Sequence, residues 1–159
     1  MRNAARATTL ALLLGVLLSA PLRASKSPSK KGSHAQIVAV CRVESPPAAK
    51  RHRNHRRFLE FDVTILSFAR VAGDAEADPD LPVRRDRPIH VIHDLSCGGR
   101  SLDLAPGDAV EIRGEYVAVP GGGDLIHFTH AADGSCGPAG THPDGGIRKL
   151  DASALKKAA

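Results

Sequence analysis

Histidine is the residue type in this chain that most invites chemistry. Eight occur, and two pairs have the spacing His-x-x-His: His90/His93 and His127/His130, with His142 soon after. Neutral imidazole nitrogens bind zinc or copper, and such binding weakens in acid, where the ring is protonated. The candidate ligand set is His127, His130 and His142, joined by His93 or His55, with Asp94 or Asp144 orienting a ring through its second nitrogen. Spacing restricts this reading. Side chains on a strand alternate between faces, so an i, i+3 pair cannot share an ion from a regular strand. His127 and His130 can meet only if their strand ends or bulges near Thr129. The bland reading, histidines bonded to backbone and carboxylates with no ion, stays open beside it.

The second constellation is the basic run KRHRNHRR, residues 50–57. Lys50, Arg51, Arg53, Arg56 and Arg57 on a loop between strands can hold an anionic ligand, or can be no more than a solvated charged loop. Aromatic supply argues against nucleic acid: there is no tryptophan, one tyrosine and four phenylalanines. Single-strand binders stack bases on such rings. Phe58 and Phe68 fall on the polar phase of their strand, which leaves two candidates. Catalytic signatures are missing, with no Gly-x-Ser-x-Gly elbow, no P-loop and no HExxH. A metal-activated water held by the histidines, with Glu115 or Asp94 as base, is the remaining catalytic option.

The elements that must position these groups are strands. QIVAVCRV (Gln36–Val43) is rich in β-branched residues. FLEFDVTILSF (Phe58–Phe68) alternates, with Leu59, Phe61, Val63 and Ile65 on one face. Pro88–His93 is a short third strand. Asp108–Val119 is a fourth, with Val110, Ile112, Gly114 and Tyr116 on one face and a bend or bulge expected at Gly114. Pro120–Gly123 makes a hairpin turn to a fifth strand, Leu125–Thr129. Residues 71–87 read as a long solvated loop, and Ser153–Ala159 as a weak helical end. Five short strands without a long helix predict an all-β domain. A small, partly open five-stranded OB-like barrel is the best match, and a sandwich the second.

Residues 1–24 have the plan of a secretory signal peptide: Arg2 and Arg6, an apolar run containing ALLLGVLL, and a small residue at Ala24. The apolar run is short for a bilayer span. Residues 25–34 follow as a polar linker, 35–150 as the barrel domain and 151–159 as a tail. The leader carries three arginines and no acid, so its loss lowers the formal charge of +5 to +2, which is no nucleic-acid signature. Export permits disulfides. Cys97 and Cys136 sit in Gly/Ser-rich loops and are the expected bridge, worth roughly 4 kcal/mol in a chain-entropy model. Cys41, in a strand-like run, is expected buried and free.

The order of several short motifs resembles an uncharacterised family of small secreted bacterial proteins, described only as a domain of unknown function. Its members carry His-Gln-Arg-Phe, Ala-His-Asn, Gly-Asp…Gly-Glu-Tyr-Glu-Trp, His-Trp-Thr-His-His-Asp-Pro and His-Pro-Asp-Gly-Trp segments. Here His55-Arg56-Arg57-Phe58, Ile92-His93-Asp94, Gly107-Asp108 with Gly114-Glu115-Tyr116, His127-Phe128-Thr129-His130 and His142-Pro143-Asp144-Gly145 stand in their places. Ala131 replaces the second histidine of the His-His pair, and Phe128 and Gly146 stand where the family has tryptophan. The resemblance spans roughly residues 35–147. It implies an exported β-barrel and supplies no activity.

The resulting expectation is a periplasmic or extracellular, non-enzymatic binding module. Its histidine-bearing end would take a divalent metal or an anionic small molecule. The alternative is a metal-dependent periplasmic hydrolase of phosphodiesters or esters using the same histidines. Expressed with its own leader in a bacterial host, the chain should be recovered outside the cytoplasm beginning at Ser25. Intact mass and N-terminal sequencing check this, and a membrane-retained chain that keeps residues 1–24 would contradict it.

Overall fold

The computed structural model describes residues 33–52, 55–71, 78–132 and 144–158. The leader, Arg53, Cys136 and His142 lie outside the described residues. Seven strands and one short helix follow in order: β1 (Ser33–Val43), β2 (Ala48–Arg51), β3 (Arg57–Arg70), β4 (Ile89–Asp94), β5 (Ala109–Ala118), β6 (Leu125–His127), β7 (Gly146–Leu150) and α1 (Ser153–Ala158). Five of them form a barrel in the order β1-β3-β4-β6-β5, and β5 pairs back onto β1. The β4–β6 pairing is parallel and the others antiparallel. This is the Greek-key plan of an OB-type barrel. It is closed rather than partly open, because β1 lies against β5 from Ser33↔Ala118 to Arg42↔Ala109 while its other edge holds β3.

Period-two patterning explains the core. Ile37, Phe61, Val63, Ile65, Val91, Ile112 and Ile126 all point inward and are at most 2% exposed. Each such side chain contributes about 1.5–3 kcal/mol by leaving water. Cys41 lies among them as a free thiol, and burial pushes its pKa up to about 12, which makes it inert at neutral pH. Between β1 and β3 the register shifts after Val40, so that Val40 faces Ser67 and Cys41 faces Ile65. The extra residue, Leu66, bends the pair in the manner of a bulge.

Four features differ from the sequence expectation. Strand β1 starts at Ser33, so Ser33 and His34 belong to the barrel and not to the linker. Strand β2 lies where the sequence predicts only a charged loop. Its four residues are all exposed and follow Pro46-Pro47, so no hydrophobic period marks it, and pairing with β3 makes it a strand. Strand β7 pairs with the first half of β5 and brings Ile147 against the core. No bulge occurs at Gly114, since the β1–β5 register runs unbroken through Ile37↔Gly114.

A buried carboxylate ties the barrel's closing strands together. Asp124 precedes β6 and is 3% exposed. Its carboxylate accepts the Tyr116 hydroxyl at 2.8 Å and the Val119 amide at 3.1 Å. Arg87 and Arg84 approach it at 3.3 and 3.4 Å. Its backbone carbonyl accepts the His90 amide. The turn beneath it runs through Gly121, Gly122 and Gly123, all at positive φ, a conformation that side-chain-bearing residues rarely adopt. Burial alone would raise the Asp124 pKa; the hydrogen bonds from Tyr116, Val119 and Arg87, with the charge of Arg84, outweigh it and hold the group below its ordinary value.

A carboxyl whose folded pKa is depressed adds stability above its unfolded value, and that stability is lost as pH falls through the folded value. Asp124→Asn should therefore cost about 1–3 kcal/mol at pH 7. The gap to wild type should narrow once pH falls below about 4. Urea midpoints at pH 7 and pH 3 measure both, and a gap independent of pH would refute the role of this network.

Candidate functional site

The outward-facing side chains of four neighbouring strands build the main site. Register places Phe58 opposite Asp94 and Val117 opposite Leu125. Since Val91 pairs with Ile126, Ile92 and His127 come side by side. These residues, with Arg56, Phe128 and His130, line a cavity of about 370 Å³. Small-ligand pockets span roughly 300–1,000 Å³. The cavity lies on the outside of the barrel, because the alternate residues Leu59, Val91, Tyr116 and Ile126 fill the core. In an OB barrel this is the face of the second and third barrel strands, where ligands bind.

Gly114, on the inward face of β5, sets how closely the chain leaving β6 can approach. A Cβ there would stand 2.7 Å from the His127 carbonyl and 2.9 Å from the Thr129 methyl. The glycine thus serves close approach of the chain leaving β6. That chain turns earlier than expected: β6 ends at His127, and Phe128 takes a left-handed φ of 50°. The turn is what brings His130 back beside the cavity that His127 also lines.

The candidate histidines separate into distinct environments. His127 has its Nε2 2.5 Å from Glu115 and its ring 4.1 Å from that of Phe128. His130 is buried, with Nδ1 3.1 Å from the Ala131 carbonyl. His93 points into the barrel end. Its Nε2 donates to the Arg100 carbonyl at 3.1 Å, which leaves Nδ1 to accept the Thr129 hydroxyl at 2.9 Å. Both nitrogens of His93 are therefore used within the protein. Burial, reinforced by the nearby His130, holds its pKa below the ordinary value despite these bonds. His93, Thr129 and His130 border a second, smaller cavity of about 170 Å³. His55 is exposed in the β2–β3 turn with φ 63° and lines neither cavity. Among the described residues no group of three or more His, Cys, Asp or Glu side chains is arranged to hold a metal ion. His142 lies outside them.

The acids expected to orient rings do other work. Asp94 accepts the Ser96 amide at 2.8 Å and is bridged by Arg56. Asp144 accepts the Ala132 amide at 2.8 Å. Other acids hold the histidines, and of these Glu115 is expected from sequence only as a base. Glu115 holds His127 and approaches His34 at 3.7 Å. Glu60 binds His52 at 2.8 Å and Lys50 at 2.5 Å, with His90 at 3.4 Å. Asp62 meets His90 at 2.9 Å. Glu60 is 8% exposed; burial would raise its pKa, but Lys50, His52 and His90 lower it on balance. The signal for Glu115 was available: it stands directly opposite His127 across the hairpin, so alternation plus the turn length yields the pair.

The basic run does not gather as one anion-binding loop. Lys50 and Arg51 sit on β2, and Lys50 is paired with Glu60. Arg57 is exposed, and its backbone amide donates to the Ser96 hydroxyl oxygen at 2.8 Å. Arg56 alone among the described members of the run reaches the cavity. It bridges Asp94, donates to Cys97 Sγ at 2.6 Å and lies 5.5 Å over the Phe58 ring. Cys97 is buried; Cys136, its expected partner, lies outside the described residues.

A scan against protein-family models, a search of curated proteins and a search of solved structures each gave no match.

Gly114→Ala should destabilise the fold by about 1–3 kcal/mol, the usual cost of forcing extra atoms into packed space. It should also move the amide resonances of His127 and Thr129. An unchanged urea midpoint with unchanged resonances would contradict the close approach of the two chains at Gly114.

Proposed function

We propose that this chain is an exported, non-enzymatic binding module that takes a small ligand in the cavity on the outer face of β3, β4 and β6. The observation that carries this reading is the composition of that cavity. Phe58, Ile92, Val117, Leu125 and Phe128 supply an apolar floor, and Arg56, Asp94, His127 and His130 stand at its polar edge. A few convergent polar groups around an apolar hollow are what fix a ligand's orientation. Ring contacts support the floor: His52 lies 4.6 Å from Phe58, and His127 is stacked near Phe128. A pre-ordered floor lowers the entropy lost on binding.

Export rests on the N-terminal pattern and on the family resemblance. Among the described residues no helix is long and apolar enough to cross a membrane. Pairing of Cys97 with Cys136 belongs to the same proposal, since an oxidising compartment would maintain it.

Indole, a neutral ring with one N–H donor, is a suitable probe of the cavity. Titrated into ¹⁵N-labelled mature chain, it should shift the amides of Phe58, Ile92, Leu125 and His127 as one saturating set. Leu125→Glu should abolish those shifts while leaving the rest of the spectrum in place. Shifts scattered over the surface, or none at these four residues, would defeat the proposal.

A further inference from the structure

The cavity's polar edge selects among ligand classes by what it can accept. Glu115 lies against Nε2 of His127, so in the neutral ring that nitrogen carries the proton. The nitrogen left for a ligand is Nδ1, and it presents a lone pair. Asp94 is a second acceptor. A carboxylate offers about four lone-pair positions, and here one oxygen takes the Ser96 amide and the other takes Arg56. The remaining positions of Asp94 and Nδ1 of His127 both require a ligand that donates hydrogen bonds.

Charge points the same way. Arg56 is matched by Asp94 and Lys50 by Glu60. An anion supplies acceptors alone; at this edge it would meet His127 Nδ1 and Asp94, while the Arg56 guanidinium is already held by Asp94 and Cys97 Sγ. A nucleic-acid strand needs a basic groove for its phosphates, and the cations nearest the cavity are already paired with carboxylates.

Resting on the binding-module reading above, we infer that the ligand is a neutral saccharide. The C–H face of a pyranose ring packs on the apolar floor between Phe58 and Phe128. Its hydroxyls donate to His127 Nδ1 and to Asp94. The cavity volume of about 370 Å³ suits one ring or a short oligosaccharide end, and OB barrels present oligosaccharides on this face.

The test uses ¹⁵N-labelled mature chain titrated separately with methyl β-D-glucopyranoside, cellobiose, salicylate and thymidine monophosphate. The two saccharides should shift the amides of Ile92, Leu125 and His127. His127→Leu should weaken saccharide binding at least tenfold, and His127→Gln, which restores an acceptor oxygen, should recover most of it. Ring ¹⁵N resonances of unsubstituted protein at pH 7.5 should show His127 protonated at Nε2 and bare at Nδ1; the opposite tautomer overturns the inference even if a variant fails to fold. Salicylate or thymidine monophosphate shifting these amides while both saccharides do not overturns the saccharide class and leaves the cavity reading intact. If indole also leaves them unmoved, both readings fall.

Discussion

Closure of this barrel depends on a carboxylate that water does not reach. Strand β6 has three residues, and through it β4 meets β5. A strand so short is held weakly by its own ladder. Asp124, just before it, supplies the hold: one residue binds the Tyr116 hydroxyl, the turn amide of Val119, the Arg84–Arg87 segment and the β4 backbone at His90. A buried charge is costly unless it is hydrogen-bonded and paired, and Asp124 is both. A one-residue slip of β6 would turn Ile126 outward and His127 inward. The core and the outer cavity would fail together.

The outer face is built on a different principle from the core. Glu60, Asp62, Asp94 and Glu115 each meet at least one nitrogen base. Half-exposed pairs of this kind contribute little to stability, on the order of 0–1 kcal/mol each. Their effect is on the character of the surface. They turn a stretch crowded with charged side chains into one with little unpaired charge around an apolar floor. They also select the tautomer of His127, and so the hydrogen-bonding sense of the site. The density of histidines therefore serves carboxylates at least as much as it could serve a metal.

Alternation made the barrel strands legible. Leu59, Phe61, Val63 and Ile65 face inward as the pattern required, as do Val110, Ile112 and Tyr116. Strand β2 was hidden because an exposed edge strand carries no hydrophobic period. The paired glycine-rich turn and β6 were visible, but the left-handed Phe128 was not, since nothing in the residue type marks φ 50°. Among site residues, His127 and His130 do border one cavity, and Arg56 joins them. His93 and His55 lie outside that cavity, for His93 is held by Thr129 and Arg100 beside the smaller cavity and His55 stands in a solvent-facing turn.

By itself the sequence determined the all-β class, the inward faces of the barrel strands and the type of side chain available for chemistry. These are local matters: the period of burial, the residues that permit a turn and the composition. Tertiary structure alone decided which partners those side chains meet. Whether an imidazole offers a lone pair depends on what holds its other nitrogen, and that partner lies across a strand boundary. Glu115 with His127, and Asp94 with Arg56, are contacts set by register and closure, which no single stretch of the chain contains.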